Sequence, residues 1–120
     1  MAKKVLIVED SVAAGKIISE MCLALGAEPS WAKSLDEAER LLDPKFDVVV
    51  WDGYLPDGDS PGLIRQTANW FQGEMVACST MPALRRKQAA AGCNYSCNKE
   101  DLEPLLRQLL SSSEKPASSQ

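Results

Sequence analysis

The sequence predicts an α/β fold, a doubly wound five-stranded parallel sheet with helices on both faces. Apolar runs of strand length recur along the chain, and segments with apolar residues at helical spacing lie between them. Because helical crossovers join parallel strands, five alternating strands and helices place helices on both faces of one sheet. The clearest apolar runs are Lys4–Val8, Val48–Trp51 and residues 75–78.

The first strand, Lys4–Val8, is apolar without alternation, which is typical of a parallel strand buried on both faces. It ends in the acids Glu9 and Asp10. The first helix is predicted to begin after Ser11, a good N-cap residue, and to end at Gly26.

The second strand and helix are predicted from weaker signals. Glu28–Ala32 is a strand candidate, and Pro29 favours a position at the edge of the sheet. Ser34 and Glu37 have the spacing of a capping box, which predicts the start of the second helix. Pro44 marks the limit of that helix.

The third strand, Val48–Trp51, is the central run, and its three consecutive valines favour a strand over a helix. It delivers Asp52 to a loop rich in glycine and proline, at the edge where open α/β sheets usually bind ligands. Taken alone, Asp52 is equally consistent with a carboxylate that only caps a turn. The third helix is predicted from Pro61 or Gly62 to about Trp70.

The last two strands are predicted at residues 75–78 and 93–98, and they end at Ser79 and Lys99. Pro82 suits the first turn of the helix between them. A fifth helix, rich in leucine, follows the last strand.

Composition and charge restrict the possible roles. A chain of 120 residues that is 45% apolar predicts one globular domain, residues 1–110, and the Ser/Pro-rich residues 111–120 are predicted to be a disordered tail or linker. The net charge of −4 argues against binding nucleic acid or acidic membranes by bulk attraction. The apolar run near the start is too short for a signal peptide or a membrane span, so we expect a cytoplasmic protein.

The absence of histidine leaves carboxylates, hydroxyls and lysine as the groups for any chemistry. Catalysis by Ser-His or Cys-His pairs is excluded. The cysteines lack the paired spacing of a zinc site, and reduced thiols in the core are the favoured interpretation. They are Cys22, Cys78, Cys93 and Cys97.

The predicted strands deliver polar side chains to one edge of the sheet. This edge receives three acids, a hydroxyl and a lysine, namely Glu9, Asp10, Asp52, Ser79 and Lys99. Three neighbouring carboxylates repel one another unless a cation offsets their charge. Mg²⁺ prefers such oxygen ligands, and together with the lysine it neutralises a phosphoryl group held on Asp52. Carboxylates that form aspartyl-phosphates are an established class of nucleophile.

These residues resemble the receiver domain of two-component response regulators over about residues 3–110. The resemblance implies the flavodoxin-like strand order 2-1-3-4-5. Each motif alone is weak, but all occur in the right order and each lies at a strand end. They are KVLIVEDS at 4–11, FDVVVWDGYLPDGD at 46–59, VACST at 76–80 and AGCNYSCNK at 91–99.

The resemblance implies a Mg²⁺ site. In this family the acids after the first and third strands hold the ion, which corresponds to Asp10 and Asp52, with Glu9 beside them. The backbone carbonyl two residues after the phosphoacceptor is the usual third protein ligand, and here that carbonyl belongs to Tyr54.

The resemblance also implies the chemistry. Asp52 matches the phosphoacceptor, Ser79 the hydroxyl that moves towards the phosphoryl group, and Lys99 the lysine that pairs with it. Thr80 is the alternative to Ser79, although alignment on the apolar run favours Ser79. The implied phosphodonor is a histidine kinase or a histidine phosphotransfer protein. The implied output is a changed surface for a downstream protein target, with no nucleic acid or membrane bound by this domain alone.

The sequence departs from the family pattern near the fifth strand. Ser96 replaces the aromatic residue that commonly lies three positions before the lysine, and Tyr95 is expected to face the other side of the strand. Glu100 stands where the family usually has a proline in a cis bond. A cis bond to a non-proline residue costs about 3–4 kcal/mol, so a trans bond and a reshaped loop are expected. The family's coupling of hydroxyl to aromatic residue is therefore an open question here.

Three functions remain open from the sequence. The first, which the sequence favours, is a non-enzymatic phospho-receiver in bacterial-type two-component signalling. The second is a pseudo-receiver that binds a protein without being phosphorylated; Ser96 and Glu100 support it, and the complete acid pocket weighs against it. The third is a phosphohydrolase with Asp52 as nucleophile, but Tyr54 occupies the place where such enzymes commonly carry a second acid.

Overall fold

The computed structural model describes residues 2–111 and contains one five-stranded sheet with helices on both faces. The strands of this sheet are β1 (Lys4–Val8), β2 (Glu28–Ala32), β3 (Val48–Trp51), β4 (Glu74–Ala77) and β5 (Tyr95–Ser96). Adjacent strands are all parallel, and their spatial order is β2-β1-β3-β4-β5, which confirms the predicted fold class and strand order.

Five α-helices connect and follow the strands. They are α1 (Val12–Ala24), α2 (Leu35–Leu41), α3 (Pro61–Ala68), α4 (Pro82–Ala91) and α5 (Leu102–Ser111). Of the predicted tail, residues 111–120, only Ser111 is described, as the last residue of α5, and the rest lies outside the described residues. None of the helices in the described part of the chain is both long and apolar enough to cross a membrane.

The core lies in two layers, one on each face of the sheet. Val5 and Ile7 of β1 pack beneath α1 and α5, whereas Leu6 and Val8 pack beneath α2, α3 and α4. All four side chains are fully buried, as expected for a central parallel strand. The sheet is therefore covered on both sides, and its carboxyl edge remains open for a site.

Serine side chains cap the first two helices as the sequence predicts. The Ser11 hydroxyl accepts a hydrogen bond from the backbone N–H of Ala14 at 3.2 Å, and the Ser34 hydroxyl accepts one from Glu37 at 3.1 Å. The Glu37 carboxylate accepts from the N–H of Lys33 at 2.7 Å rather than from the N-cap residue itself. The bond from the Glu37 side chain therefore goes to the residue before the N-cap, one position earlier than in a standard capping box.

The loop after β3 contains a short antiparallel hairpin that the sequence analysis did not predict, formed by Tyr54–Leu55 and Gly58–Asp59. Between these strands, the Asp57 carboxylate accepts hydrogen bonds from the backbone N–H groups of Leu35 and Asp36 at 2.9 and 3.0 Å. These bonds tie the loop to the start of α2, and they hold the pKa of Asp57 below its ordinary value. The hairpin that follows Asp52 is thereby attached to α2 at its turn.

Two predicted boundaries are wrong in detail. The fifth strand spans only Tyr95–Ser96 rather than residues 93–98. The Asn94 side chain accepts the N–H of Met75 at 2.9 Å, so a side-chain oxygen replaces a backbone acceptor at the start of the strand. The third helix ends at Ala68 rather than near Trp70, because its last turn tightens into bonds of three-residue spacing.

Candidate functional site

The ends of β1, β3, β4 and β5 bring the predicted site residues to one edge of the sheet. Carboxylate oxygens of Glu9, Asp10 and Asp52 lie within 4.8 Å of one another. An all-oxygen donor set of this kind fits Mg²⁺, which commonly binds one or two carboxylates and keeps several waters. Tyr54 begins the hairpin two residues after Asp52, and the role of its carbonyl as a ligand stays a prediction.

Glu9 anchors the lysine of the site. The residue is 3% exposed, and its Oε1 lies 2.6 Å from the Lys99 ammonium. Its Oε2 accepts a hydrogen bond from the backbone N–H of Ser11 at 3.1 Å. Because Glu9 is buried and Lys99 is only partly exposed, loss of the pair would leave the buried Glu9 charge uncompensated, and this holds the Lys99 side chain beside the three acids.

The electrostatics of the site are unequal for Asp52 and Lys99. Burial and the negative charge of Glu9 raise the pKa of Asp52 to about 6, and the Gly53 N–H and the Lys99 charge offset this only in part. Burial alone lowers the pKa of Lys99, but the hydrogen bond and charge of Glu9 outweigh it and the pKa is raised. The lysine is therefore charged, and within residues 2–111 it forms its ion pair with Glu9 rather than with Asp52.

Ser79 is buried against the loop that follows Asp52. Its hydroxyl accepts a hydrogen bond from the N–H of Met81 at 3.1 Å, and its carbonyl accepts one from Arg85 at 2.9 Å. A Cβ at Gly53 would lie 2.5 Å from the Ser79 hydroxyl oxygen, so this close approach requires glycine. Thr80, the alternative hydroxyl, is exposed.

Sequence reasoning missed a polar contact between α4 and the backbone of the site. The fully buried side-chain amide of Gln88 donates hydrogen bonds to the carbonyls of Trp51 and Asp52, both at 3.1 Å, and to the Ser60 hydroxyl at 3.0 Å. The available signal was spacing: Gln88 lies four residues after the buried Leu84, on the apolar stripe of α4. A polar residue on such a stripe marks a buried hydrogen-bonding partner.

Trp31 of β2 supports the site from the other side. Its indole N–H donates to the backbone carbonyl of Glu9 at 2.7 Å. The Trp31 ring fills the space that a side chain at Gly15 of α1 would need, since a Cβ there would lie 2.0 Å from the nearest ring atom. The Glu9 backbone is thus positioned by a residue on the edge strand.

The region around β5 differs from the receiver-family pattern in the ways that the sequence predicts. Tyr95 packs against the core beneath α1 and α5, Ser96 is exposed, and every peptide bond of residues 2–111 is trans, including that before Glu100. Residues Lys99–Asp101 form a 3₁₀ turn, whose Asn98 cap accepts the N–H of Asp101 at 3.0 Å. The expected trans bond and the opposite facing of Tyr95 are confirmed.

Comparisons with known proteins identify the fold. No family model matches the sequence, and no curated protein matches it. Among solved structures, a response regulator receiver domain (CheY-like) from Methylobacillus flagellatus is 25% identical with a TM-score of 0.77, and the match covers 91% of this chain and 99% of that one. The chain has the fold of a response-regulator receiver domain.

Two further structures share this receiver fold. The BeF3-activated N-terminal receiver domain of Klebsiella pneumoniae RstA is 23% identical with a TM-score of 0.80, over 91% of this chain and 99% of that one. A response regulator protein from Burkholderia pseudomallei, with a phosphorylated aspartic acid, a calcium ion and citrate, is 17% identical with a TM-score of 0.79, over 97% of this chain and 69% of that one. At these identities the likeness establishes the receiver fold only.

Proposed function

We propose that this receiver fold is a phospho-receiver of two-component signalling, in which Asp52 accepts a phosphoryl group from the phosphohistidine of a kinase or a phosphotransfer protein. The observation that carries the proposal is the meeting of three carboxylates within 4.8 Å beside a lysine that is already paired with one of them. The domain acts as a cytoplasmic signalling module rather than as a turnover enzyme. Its output is a changed surface for a downstream protein.

The residues that would hold Mg²⁺ are Asp10 and Asp52, with Glu9 beside them and the Tyr54 carbonyl as a further ligand. When bound, the ion supplies positive charge to the carboxylates and to the incoming phosphoryl oxygens. Burial and the charge of Glu9 raise the pKa of Asp52 to about 6, and a cation at this carboxylate would oppose both effects.

The chain's own groups have distinct roles in the transfer. A carboxylate oxygen of Asp52 attacks the phosphorus, the bond from phosphorus to the imidazole nitrogen breaks, and the imidazole leaves. The Ser79 hydroxyl accepts a hydrogen bond from Met81, so its own proton is free to donate to a phosphoryl oxygen. The Lys99 ammonium has three protons and engages Glu9 with one, which leaves donors for the phosphoryl group.

An apolar groove beside the pocket supports docking of a phosphodonor. Val12 and Ile17 of α1 are 65% and 54% exposed, although both are apolar. The groove has a volume of about 250 Å³ and lies between α1 and the start of α5, with Lys99 and Leu102 among its lining residues. An exposed apolar surface beside a reactive carboxylate favours a protein as the donor.

The test is intact mass after incubation with acetyl phosphate, with and without Mg²⁺. We expect a Mg²⁺-dependent gain of one phosphoryl group in the wild type and in Asp59→Asn, an exposed acid on the same loop, and none in Asp52→Asn. No gain in folded wild-type protein would contradict the proposal. The exposed Ser96 would then favour the second candidate function, a binding module that works without phosphorylation.

A further inference from the structure

Cys78 and Cys97 lie side by side, one residue beyond the ends of β4 and β5. Ala77 pairs with Ser96 in the parallel ladder, and the N–H of Cys97 donates to the Ala77 carbonyl at 3.0 Å. Neighbouring strands are about 4.8 Å apart, which lies within the Cα separations of about 4.4–6.8 Å found in disulfides. Both side chains pack against the core beneath α1 and α5, so they lie on the same face of the sheet.

The two thiols are chemically unequal. The Cys78 thiol donates a hydrogen bond to the Cys97 sulfur, which lowers the pKa of Cys97, and the same bond together with burial raises the pKa of Cys78. Cys97 is half-buried, whereas Cys78 is 1% exposed. Burial alone raises the pKa of Cys22 to about 11 and that of Cys93 to about 12. Cys97 is therefore the thiol best placed to react as a thiolate.

We propose that Cys78 and Cys97 are a peroxide-oxidisable dithiol that closes to a disulfide between β4 and β5. The Cys97 thiolate attacks the terminal oxygen of a hydroperoxide, the O–O bond breaks, and Cys97 becomes a sulfenic acid while hydroxide or alkoxide leaves. The Cys78 thiol then attacks the sulfenic sulfur, the S–O bond breaks, and water leaves with the Cys78 proton. Two thiols are oxidised and one peroxide is reduced.

The disulfide would join the two strand ends that carry Ser79 and Lys99. Cys78 directly precedes Ser79, and Cys97 lies two residues before Lys99. A covalent link at this point restrains the distance between the hydroxyl and the ammonium, so oxidation regulates the pocket. This regulatory role rests on the proposed function, whereas formation of the disulfide does not.

The experiment uses the full chain, first reduced and then treated with hydrogen peroxide. Remaining thiols are alkylated after unfolding, and the intact mass and the tryptic peptides are measured. We expect a species that has lost two hydrogen atoms and carries two alkylated cysteines instead of four, with peptides 66–85 and 88–99 joined. A reducing agent should separate these peptides.

Cysteine variants assign the link, because peptide 88–99 contains both Cys93 and Cys97. Cys93→Ser should form the crosslink as the wild type does, and Cys97→Ser should lose it while keeping a folded far-ultraviolet circular dichroism spectrum. A crosslink that persists in Cys97→Ser, or wild-type protein in which Cys97 is over-oxidised or unreacted without a crosslink, would overturn the proposal. Phosphorylation enters neither measurement, so the proposed function stands or falls separately.

Discussion

Asp52 differs from its neighbour Glu9 in forming no ion pair with a lysine or arginine of residues 2–111. Glu9 takes the Lys99 ammonium at 2.6 Å, and the resulting imbalance raises the pKa of Asp52 to about 6 through burial and the Glu9 charge. A pKa of about 6 still leaves the side chain mostly ionised at neutral pH, as the proposed role of nucleophile requires. The pocket is thus arranged to gain stability from a cation at Asp52.

Asp52→Asn is expected to stabilise the metal-free protein at pH 7.5 and to change little at pH 4. The folded-state pKa, about 6, exceeds the ordinary value of 3.8, so the folded state holds this proton more tightly. The stability that follows is complete below about pH 4 and is lost as the pH rises through about 6. Because solvent screens part of the interaction at this half-buried group, we expect the free energy of unfolding of the variant to exceed that of the wild type by only about 1 kcal/mol at pH 7.5.

Urea denaturation in the presence of a chelator measures this difference at both pH values. Asp59→Asn is the matched control and should show no such pH-dependent gain, since Asp59 is exposed on the same loop. A destabilised Asp52→Asn protein at pH 7.5 would contradict the account of the Asp52 environment.

The site residues at the strand ends could be predicted from the sequence, whereas the side chains that hold the site backbone by hydrogen bonds could not. Glu9, Asp52 and Lys99 follow apolar runs, and the carboxyl ends of parallel strands must meet at one edge. The partners of Gln88 and Trp31 are backbone carbonyls, which every residue carries, so the sequence does not indicate which ones they contact.

At the scale of elements, α4 is attached to the site through polar contacts. Gln88 holds the carbonyls of Trp51 and Asp52, and Arg85 donates to the carbonyl of Ser79. The helix buries few side chains otherwise, which agrees with the thin apolar stripe of its sequence. A movement of the backbone at Asp52 would therefore be passed to α4 through the hydrogen bond of Gln88. This connection does not require an aromatic residue at position 96.

Gln88→Met is expected to destabilise the fold and to slow phosphorylation. Methionine keeps the length of the side chain but removes the donor to the Asp52 carbonyl and the Ser60 hydroxyl, whereas the Trp51 carbonyl keeps its hydrogen bond from the N–H of Cys78 at 2.9 Å. Unsatisfied buried groups cost about 1–3 kcal/mol each. Because the Gln88 Oε1 has no partner among the described residues, its removal offsets part of this cost. We expect a net loss of about 2 kcal/mol in urea denaturation.

The control for this variant is Gln66→Met, which changes an exposed glutamine on α3 and should stay within about 0.5 kcal/mol of the wild type. A Gln88→Met protein with unchanged stability and unchanged phosphorylation rate by acetyl phosphate would show that the α4 contact does not position Asp52.

The bounds of helices and strands were predicted well where the hydrophobic pattern is long. They were predicted less well where a side-chain atom takes the place of a backbone hydrogen-bonding group. The capped starts of α1 and α2 agree with the sequence because Ser11 and Ser34 act within their own helix. β5 is shorter than predicted because Asn94 uses its side chain to pair with Met75. A side-chain hydrogen bond of this kind does not change the spacing of hydrophobic residues, so the sequence pattern does not reveal it.

At the scale of the whole molecule, Mg²⁺ should raise the melting temperature. An ion that binds the folded acid cluster, as proposed, and not the unfolded chain stabilises the fold by about 1.4 kcal/mol at a tenfold excess over Kd. For a domain of this size that corresponds to about 5–10 °C. Thermal unfolding in MgCl₂ should be compared with NaCl of equal ionic strength, because the net charge of −4 responds to salt in general.

Asp10→Asn tests whether the acid cluster is responsible. Asp10 is exposed, so the variant should fold, and its melting temperature should respond to Mg²⁺ much less than that of the wild type. Equal responses of variant and wild type would place Mg²⁺ binding elsewhere on the surface.

The pairing of Glu9 with Lys99 joins positions 90 residues apart in the chain. Such a contact forms only after the long loop between them has closed, and closure of long loops is slow. During synthesis, Asp52 leaves the ribosome well before the strand that carries its lysine. A nascent chain therefore brings Lys99 beside Glu9 and Asp52 only when β5 has docked, so the pocket is among the last parts of the fold to be completed.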